Sequence, residues 1–194
     1  AGMIRTTGGT SNDLQDILLN KYTSEGNAFA ASGFAEVSFL KHFKFTWTSS
    51  VNVDETRSTN TTNPYYGSYA SSNGMVDKYH TRNISWNHQQ LLTWEQSFGD
   101  NNFNVMAGHE YYRSMYYYLY AGKSNQFDPT NTELAGAITD KSGNSYVSSY
   151  NTEGYFGRVM YDWDNKVYAQ ASYRRDASSR FHPDHRWGNF WSLG

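Results

Sequence analysis

Apolar and polar residues alternate along much of the chain with the period of two that is typical of β-strands. The alternation is most regular in Phe43–Asp54, where residues such as Phe45, Trp47 and Val51 occupy odd positions and polar residues occupy the even ones. Further strands are predicted at Ser32–Leu40, about His80–Phe98, Asn102–Tyr120, Tyr150–Trp163 and Val167–Arg175, with a seventh beginning near Trp187. The sequence therefore predicts an all-β protein whose strands each have an apolar and a polar face.

The connections between these strands alternate between short and long. Short turns are predicted at Leu40–Phe43, Phe98–Asn102 and Asp162–Lys166, and long loops at about Glu55–Tyr79, about Ala121–Ser149 and from Asp176 to about Trp187. In an antiparallel sheet this order places every short turn at the same end. Transmembrane β-barrels have this layout, with short periplasmic turns, long extracellular loops and strands that face lipid and lumen alternately. We therefore predict a segment of an antiparallel transmembrane β-barrel.

Residues 1–31 do not alternate and are predicted to form an extracellular loop. Within it, Leu14, Ile17 and Leu18 share one face of a short predicted helix at Asn12–Lys21. The chain starts at Ala1 without a signal peptide and stops inside a predicted strand, so we expect an internal piece of a longer protein. Six or seven strands cannot close a barrel, since the smallest barrels have about eight. The rest of the wall is expected from the remainder of that chain or from other subunits.

Composition agrees with this interpretation and excludes several classes of function. The chain has no cysteine, which excludes disulfides, thiolate metal sites and thiol nucleophiles. Its formal net charge of -2 gives no electrostatic reason to expect nucleic acid as a partner. Aromatic residues make up 18% of the chain, yet no apolar run is long enough for a membrane helix. No nucleophile and base are arranged for catalysis, so we predict no enzyme activity and no cofactor.

The last third of the chain carries a more specific pattern. Tyr155–Asp162 is followed by Lys166–Ser172 and then by the arginine-rich stretch Arg174–Phe181, with Trp187 and Phe190 downstream. Together with Ser32–Lys41 and Met106–Glu110, these segments resemble the barrel of the SusC/RagA-like TonB-linked outer-membrane transporters of Bacteroidetes. One departure is Ala177, where that family usually has glycine.

This resemblance implies a fold and a function. Members of the family form 22-stranded barrels that are blocked by an N-terminal plug domain. They import oligosaccharides or peptides with energy supplied through TonB, and a SusD-like lipoprotein caps the barrel. We therefore expect the whole chain, residues 1–194, to be part of a TonB-dependent receptor barrel in the outer membrane. Its expected partners are a SusD-like lipoprotein, TonB through the missing plug, outer-membrane lipid and a glycan or peptide substrate.

Two groups of residues are candidates for function or for the family's structural motif. Tyrosines combine a flat ring with a hydroxyl, so they can stack on sugars or on peptide side chains. The predicted substrate-binding tyrosines are Tyr65, Tyr66, Tyr69, Tyr79, Tyr116 and Tyr118. The predicted structural motif is Arg174, Arg175, Asp176, Arg180 and Trp187, whose charged members are expected to form ion pairs in the lumen or at its rim. Girdle and loop packing remains the alternative role for the tyrosines.

Alternatives from other functional classes also fit the residues. One is a secreted or surface β-protein that binds glycans without transporting them. Another is a small structural porin. A metal site at His182, Asp184 and His185 is the less favoured interpretation of that stretch, because further clustered ligands are lacking.

Overall fold

A single antiparallel sheet contains all the strands that the computed structural model describes in residues 17–65 and 70–194. The strands are β1 Lys21–Phe39, β2 Phe43–Thr62, β3 Met75–Phe98, β4 Asn101–Gln126, β5 Ala137–Trp163, β6 Val167–Ser178 and β7 Trp187–Leu193. They follow one another in chain order across the sheet. No helix in the described part of the chain is both long and apolar enough to cross a membrane. The prediction of an antiparallel all-β fold with seven strands is confirmed.

The three short turns lie where the sequence predicts them. The turn between β5 and β6 consists of Asp164 and Asn165, which both have positive φ angles, and Lys166 N–H donates to the Trp163 carbonyl at 2.8 Å. Positive φ at both central residues defines a type I′ turn, whose twist matches that of the flanking strands. Leu40 and Lys41 adopt positive φ angles in the first turn, as does Gly99 in the second.

The strands extend further than predicted at the ends away from the short turns. β2 continues to Thr62, β4 to Gln126, and β5 begins at Ala137 rather than Tyr150. The first two predicted long loops are therefore wrong over much of their length, whereas the third is shortened only by the extension of β6 to Ser178. Their Ser, Thr and Asn residues show no alternation because neither face of these extensions has to be apolar. Backbone pairing with the neighbouring strands holds them in the sheet.

The prediction of a loop over residues 1–31 is also wrong at its end, since β1 begins at Lys21. Ile17–Leu19 are helical, in agreement with part of the predicted helix. The remainder of that helix before Ile17 lies outside the described residues.

The described chain divides into two units, which are described separately. The first contains the residues up to Ala28, Asp54–Asn83 and Tyr116–Val147, and the second contains Phe29–Val53, Ile84–Met115 and Ser148–Gly194. In the first unit, the apolar residues Met75, Val76 and Ala137 are buried.

The second unit has one apolar and one polar face. Residues paired directly across antiparallel strands point to the same side of the sheet. The apolar face contains, on β5 to β7, Tyr155, Val159, Tyr161, Trp163, Val167, Ala169, Ala171, Tyr173, Trp187, Trp191 and Leu193. The opposite face, called the polar face, contains Arg158, Met160, Asp162, Gln170, Ser172, Arg174, Asp176 and Ser192, together with the aromatic residues Phe156, Tyr168 and Phe190.

Contacts continue both faces onto β3 and β4. On the apolar face, Phe103 packs on Tyr161 at a ring-centroid distance of 5.1 Å and on Trp94 at 6.5 Å. On the polar face, the Asn104 amide donates to Glu95 at 2.6 Å. The alternation predicted from the sequence therefore corresponds to two chemically distinct sides of the sheet. In an outer-membrane barrel the apolar side faces lipid and the polar side faces the lumen.

Gly74 is a point at which the first unit should be sensitive to substitution. Its φ is +80°, and a Cβ placed there would overlap the Gln126 amide and lie 3.0 Å from the Thr62 carbonyl oxygen. We expect Gly74→Ala to destabilise this unit by about 1–3 kcal/mol, because strain and overpacking both apply. Hydrogen exchange of β3 and β4 amides measures the effect. Gly143→Ala is the control, since its nearest neighbour would be 3.6 Å away; equal protection in both variants would contradict the prediction.

Candidate functional site

Tyrosine side chains form a cluster in the first unit. Tyr79 on β3 stacks on Tyr120 on β4 with ring centroids 4.9 Å apart. Tyr118 stacks on Tyr146 of β5 at 5.0 Å, and Tyr116 lies 6.2 Å from the same ring. On β4 these tyrosines occupy alternate positions, so they share one side of the strand. The predicted residues Tyr79, Tyr116 and Tyr118 are thus in one cluster, together with Tyr120 and Tyr146.

Tyr79 and Tyr120 belong to the packed part of this cluster. The Tyr120 hydroxyl donates to Oδ1 of Asp77 at 2.7 Å, and Asp77 is only 3% exposed. Nζ of Lys141 lies 3.7 Å from the same carboxylate. Burial raises the pKa of the Tyr79 phenol, and the nearby negative charge of Asp77 raises it further. Tyr79 thus packs on a ring that is fixed by a buried carboxylate, and a substrate-binding role for Tyr79 stays a prediction.

Tyr146 is the most accessible ring of the cluster, and Tyr116 and Tyr118 lie beside it. Tyr146 is 50% exposed, and Tyr116 and Tyr118 are half-buried. Three adjacent rings provide a flat, amphipathic surface on which a sugar ring or a peptide side chain can stack while a hydroxyl forms a hydrogen bond. This geometry makes these three tyrosines the better candidates for ligand contact.

The other predicted tyrosines lie apart from this cluster or cannot be placed. Tyr65 follows β2, is 66% exposed, and its backbone N–H donates to Oδ1 of Asn63 at 3.0 Å. Tyr66 and Tyr69 lie outside the described residues. A substrate-binding role for these three residues stays a prediction.

Arg174 is the centre of a charged cluster on the polar face of the second unit. Its Nε lies 2.8 Å from both carboxylate oxygens of Asp176, and its terminal nitrogen donates to Oε2 of Glu110 at 3.2 Å. The guanidinium also lies 5.4 Å from the centroid of the Phe156 ring. A cavity of about 480 Å³ adjoins these groups and is also lined by Phe181 and Phe190. One guanidinium thus joins β4 and β6 through ion pairs.

The predicted arginine motif is split between the two faces of the sheet. Arg174 and Asp176 lie on the polar face, whereas Arg175 pairs with Asn189 across the strand and its guanidinium lies 4.8 Å from the Trp187 ring centroid. Arg180 lies 3.8 Å from the centroid of the Tyr150 ring. Among the described residues, Arg174 alone of the three arginines has carboxylates within ion-pairing distance. The prediction of ion pairing therefore applies to Arg174 and Asp176, while Arg175, Arg180 and Trp187 form cation–π contacts.

Loss of the Arg174 guanidinium should destabilise the second unit modestly. In Arg174→Met, Glu110 and Asp176 lose their shared cation, but the Arg174 side chain is 45% exposed, so we expect about 1 kcal/mol. A double-mutant cycle with Glu110→Gln, followed by urea unfolding of the full-length protein, isolates the ion pair. Arg158→Met is the control on the same face. A coupling energy of zero in the cycle would contradict this assignment.

Metal-binding groups do not come together in the part of the chain that is described. No three His, Asp or Glu side chains there could hold an ion. Nδ1 of His182 is 3.5 Å from Oδ2 of Asp184, and the rings of His182 and His185 are 6.4 Å apart.

Comparison with known proteins relates this sheet to one family, although no family model matches the chain. The chain is 33% identical over 134 residues to the TonB-dependent receptor SusC of Bacteroides thetaiotaomicron, which is 68% of this chain and 12% of SusC. It is also 29% identical over 106 residues to the TonB-dependent receptor P3 of Formosa agariphila. The chain belongs to the SusC/RagA-like family of TonB-linked outer-membrane proteins. It spans only 12% and 10% of the lengths of these two relatives.

Solved structures show the same fold as this SusC/RagA-like segment. The RagAB peptide transporter matches 97% of the chain with a TM-score of 0.88 and 21% identity, over 22% of its own chain. The RagAB peptide importer in its open-open state matches the whole chain with a TM-score of 0.87. BauA, the ferric preacinetobactin receptor of Acinetobacter baumannii, is more distant, with a TM-score of 0.51 and 10% identity. The SusC/RagA-like segment is therefore part of an outer-membrane β-barrel, and the relatives named here are receptors and transporters.

Sequence reasoning missed Glu110 in the charged cluster of this SusC/RagA-like segment, and Asp77 and Tyr146 in its tyrosine cluster. The short turns can indicate which residues are neighbours across two strands, because a turn fixes the register of the strands that it joins. Counting equal numbers of residues back from Gly99 and Asp100 places Tyr79 opposite Tyr120. Similar counting was not possible for Tyr146, because the structure continues β5 through a stretch that the sequence predicts as loop.

Proposed function

We propose that the chain is part of the barrel wall and extracellular region of a TonB-dependent importer of oligosaccharides or peptides. The observation that carries this proposal is the division of the sheet into an apolar and a polar face, in a chain of the SusC/RagA-like family. A wall of this kind separates lipid from a polar passage. The chain matches only part of its relatives, so the plug and the TonB contact belong to regions outside it.

Each unit supplies groups suited to polar substrates. In the second unit Arg174, Asp176 and Glu110 offer charged contacts, and in the first unit Tyr116, Tyr118 and Tyr146 offer ring surfaces. Aromatic rings can bind either a sugar or a peptide side chain, so these residues are compatible with both substrate classes. A SusD-like surface lipoprotein is the proposed extracellular partner, which is supported by the pairing implied in the name RagAB.

Uptake measurements test this function against the alternatives. The gene for the full-length protein is deleted in its source bacterium, and uptake of fluorescent oligosaccharides and peptides is measured with and without a protonophore. We expect uptake of one substrate class to require both the gene and the proton gradient. Binding to the cell surface without uptake would support a glycan-binding protein instead. Uptake that the protonophore leaves unchanged would indicate a passive porin.

A further inference from the structure

Two arginines of the second unit lie on the apolar face, each against a tryptophan. The guanidinium of Arg113 on β4 lies 6.0 Å from the ring centroid of Trp86 on β3, and that of Arg175 lies 4.8 Å from the ring of Trp187. Both arginines are exposed. Stacking on an indole ring holds each side chain along the sheet while its N–H donors remain free to bind an anion.

Neither arginine has a carboxylate partner among the described residues, in contrast to Arg174 on the opposite face. The nearest possible carboxylate partner of Arg175 on the apolar face is Glu153. Tyr155 pairs with Arg175, and Glu153 lies two residues before Tyr155 on the same face of β5. Glu153 is already engaged, with one oxygen 3.1 Å from Nε2 of His109 and accepting a hydrogen bond from Tyr155 at 2.7 Å. Two cations on this face therefore lack a counter-ion within the described part of the chain.

Hydrogen-bonded polar side chains interrupt the apolar face along several neighbouring strands. Oγ of Ser49 lies 2.9 Å from Nδ1 of His88, and Oε1 of Gln90 lies 2.8 Å from Nδ1 of His109. His109 then contacts Glu153 on β5. Polar groups of this density are costly in hydrocarbon, so they indicate the membrane–water boundary. The boundary lies on the extracellular side, since these residues are far along their strands from the short turns.

Strand geometry places Arg175 at the same boundary. Between Val167, where β6 begins, and Arg175, the strand advances about 26 Å, which a tilt near 40° reduces to about 20 Å along the membrane normal. The apolar band of such barrels is about 25 Å tall. Arg113 is further from its turn and so lies at or above the upper edge. The backbone of Arg175 therefore lies about 5 Å below the upper edge of the band. An arginine side chain can extend over that distance, so both guanidiniums can reach the depth of lipid headgroups.

We propose that Arg113 with Trp86, and Arg175 with Trp187, bind phosphate-bearing headgroups of outer-leaflet lipids on the outside of the barrel. A guanidinium presents its donors in a planar fork that fits two phosphate oxygens. The adjacent tryptophans suit the interfacial region, where amphipathic rings accumulate. The occupant is a lipid because the cations border an apolar face that contacts acyl chains. This site depends on the membrane position of the sheet and is independent of what the barrel transports.

Lipid binding by the full-length protein in detergent tests the proposal. The probes are a diphosphorylated outer-leaflet glycolipid, the same glycolipid after enzymatic dephosphorylation, and inorganic phosphate alone. Adducts are counted by native mass spectrometry for the wild type, for R113Q/R175Q and for R158Q, a control that removes the same charge from the polar face. Heat-modifiable gel mobility reports whether each variant is folded.

We expect the wild type and R158Q to prefer the phosphorylated glycolipid and R113Q/R175Q to bind it roughly thirtyfold more weakly. Inorganic phosphate at millimolar concentration should not compete, because it lacks acyl chains. Equal binding of phosphorylated and dephosphorylated glycolipid by the wild type would overturn the proposal without any variant. So would unchanged affinity in folded R113Q/R175Q, or full displacement by inorganic phosphate.

Discussion

Replacing Val159 with arginine is expected to destabilise the folded barrel by about 2–4 kcal/mol, whereas the same replacement at Met160 should have little effect. Val159 pairs with Ala171 on the apolar face, and the adjacent Met160 pairs with Gln170 on the polar face. In the isolated sheet the two side chains are similarly accessible, at 44% and 38%. The expected difference in destabilisation therefore arises from the surroundings of each face, which are hydrocarbon at Val159 and water at Met160.

The measurement is reversible urea unfolding of the full-length protein in lipid vesicles, with tryptophan fluorescence as the signal. Met160→Arg adds the same charge and nearly the same volume one residue away, so it controls for general effects of arginine on β5. A larger loss in Met160→Arg than in Val159→Arg would assign the faces the other way round. Equal losses would mean that neither face is in lipid at this depth.

Replacing Tyr116, Tyr118 and Tyr146 together with alanine should lower substrate affinity by about a hundredfold. Each ring stacked on a ligand contributes on the order of 1 kcal/mol, and each 1.4 kcal/mol is a factor of ten. Assembly should remain intact, because Tyr79 and Tyr120 hold the packed part of the cluster against Asp77. Affinity is measured by titration calorimetry on the purified transporter, with the substrate that the uptake assay identifies.

Two further variants separate binding from packing in this cluster. Tyr111→Ala removes a β4 tyrosine at an odd position, whereas Tyr116 and Tyr118 occupy even positions of that strand. This variant should leave substrate affinity unchanged. Tyr120→Phe removes the hydrogen bond to Asp77 and should reduce stability while affinity is maintained. Wild-type affinity in a folded triple variant would assign Tyr116, Tyr118 and Tyr146 to packing alone.

The membrane-facing part of the fold could be predicted from the sequence because lipid imposes a chemical pattern on it. Phe43–Asp54 and Val167–Arg175 alternate regularly, and each lies within the observed strand β2 or β6. The short turns were also recognisable, since Asp164 and Asn165 readily adopt positive φ. Where one face of a strand must be apolar, apolar and polar residues alternate in the sequence with a period of two.

The upper parts of the strands and the site could not be predicted in the same way. Ala137–Ser149 contains serine, glycine and asparagine without alternation, although it forms the first half of β5. Such segments are strands because the backbone of a neighbour pairs with them, and this is a non-local property. The contact between Arg174 and Glu110 likewise joins residues far apart in the chain, so the arginine motif alone did not indicate that Glu110 is an ion-pair partner of Arg174.

The central claim is that alternate residues of β5 face lipid and a polar lumen. It is tested most directly by placing a single cysteine, one at a time, at each position of Tyr155–Trp163 in a cysteine-free full-length protein and attaching a nitroxide. This chain itself contributes no cysteine to remove. Accessibility to oxygen, which concentrates in hydrocarbon, is compared with accessibility to a water-soluble nickel complex for the protein in vesicles. We expect nitroxides at Gly157, Val159 and Tyr161 to be more accessible to oxygen, and those at Arg158 and Met160 to be more accessible to the nickel complex. The opposite phase, or no alternation, would contradict it.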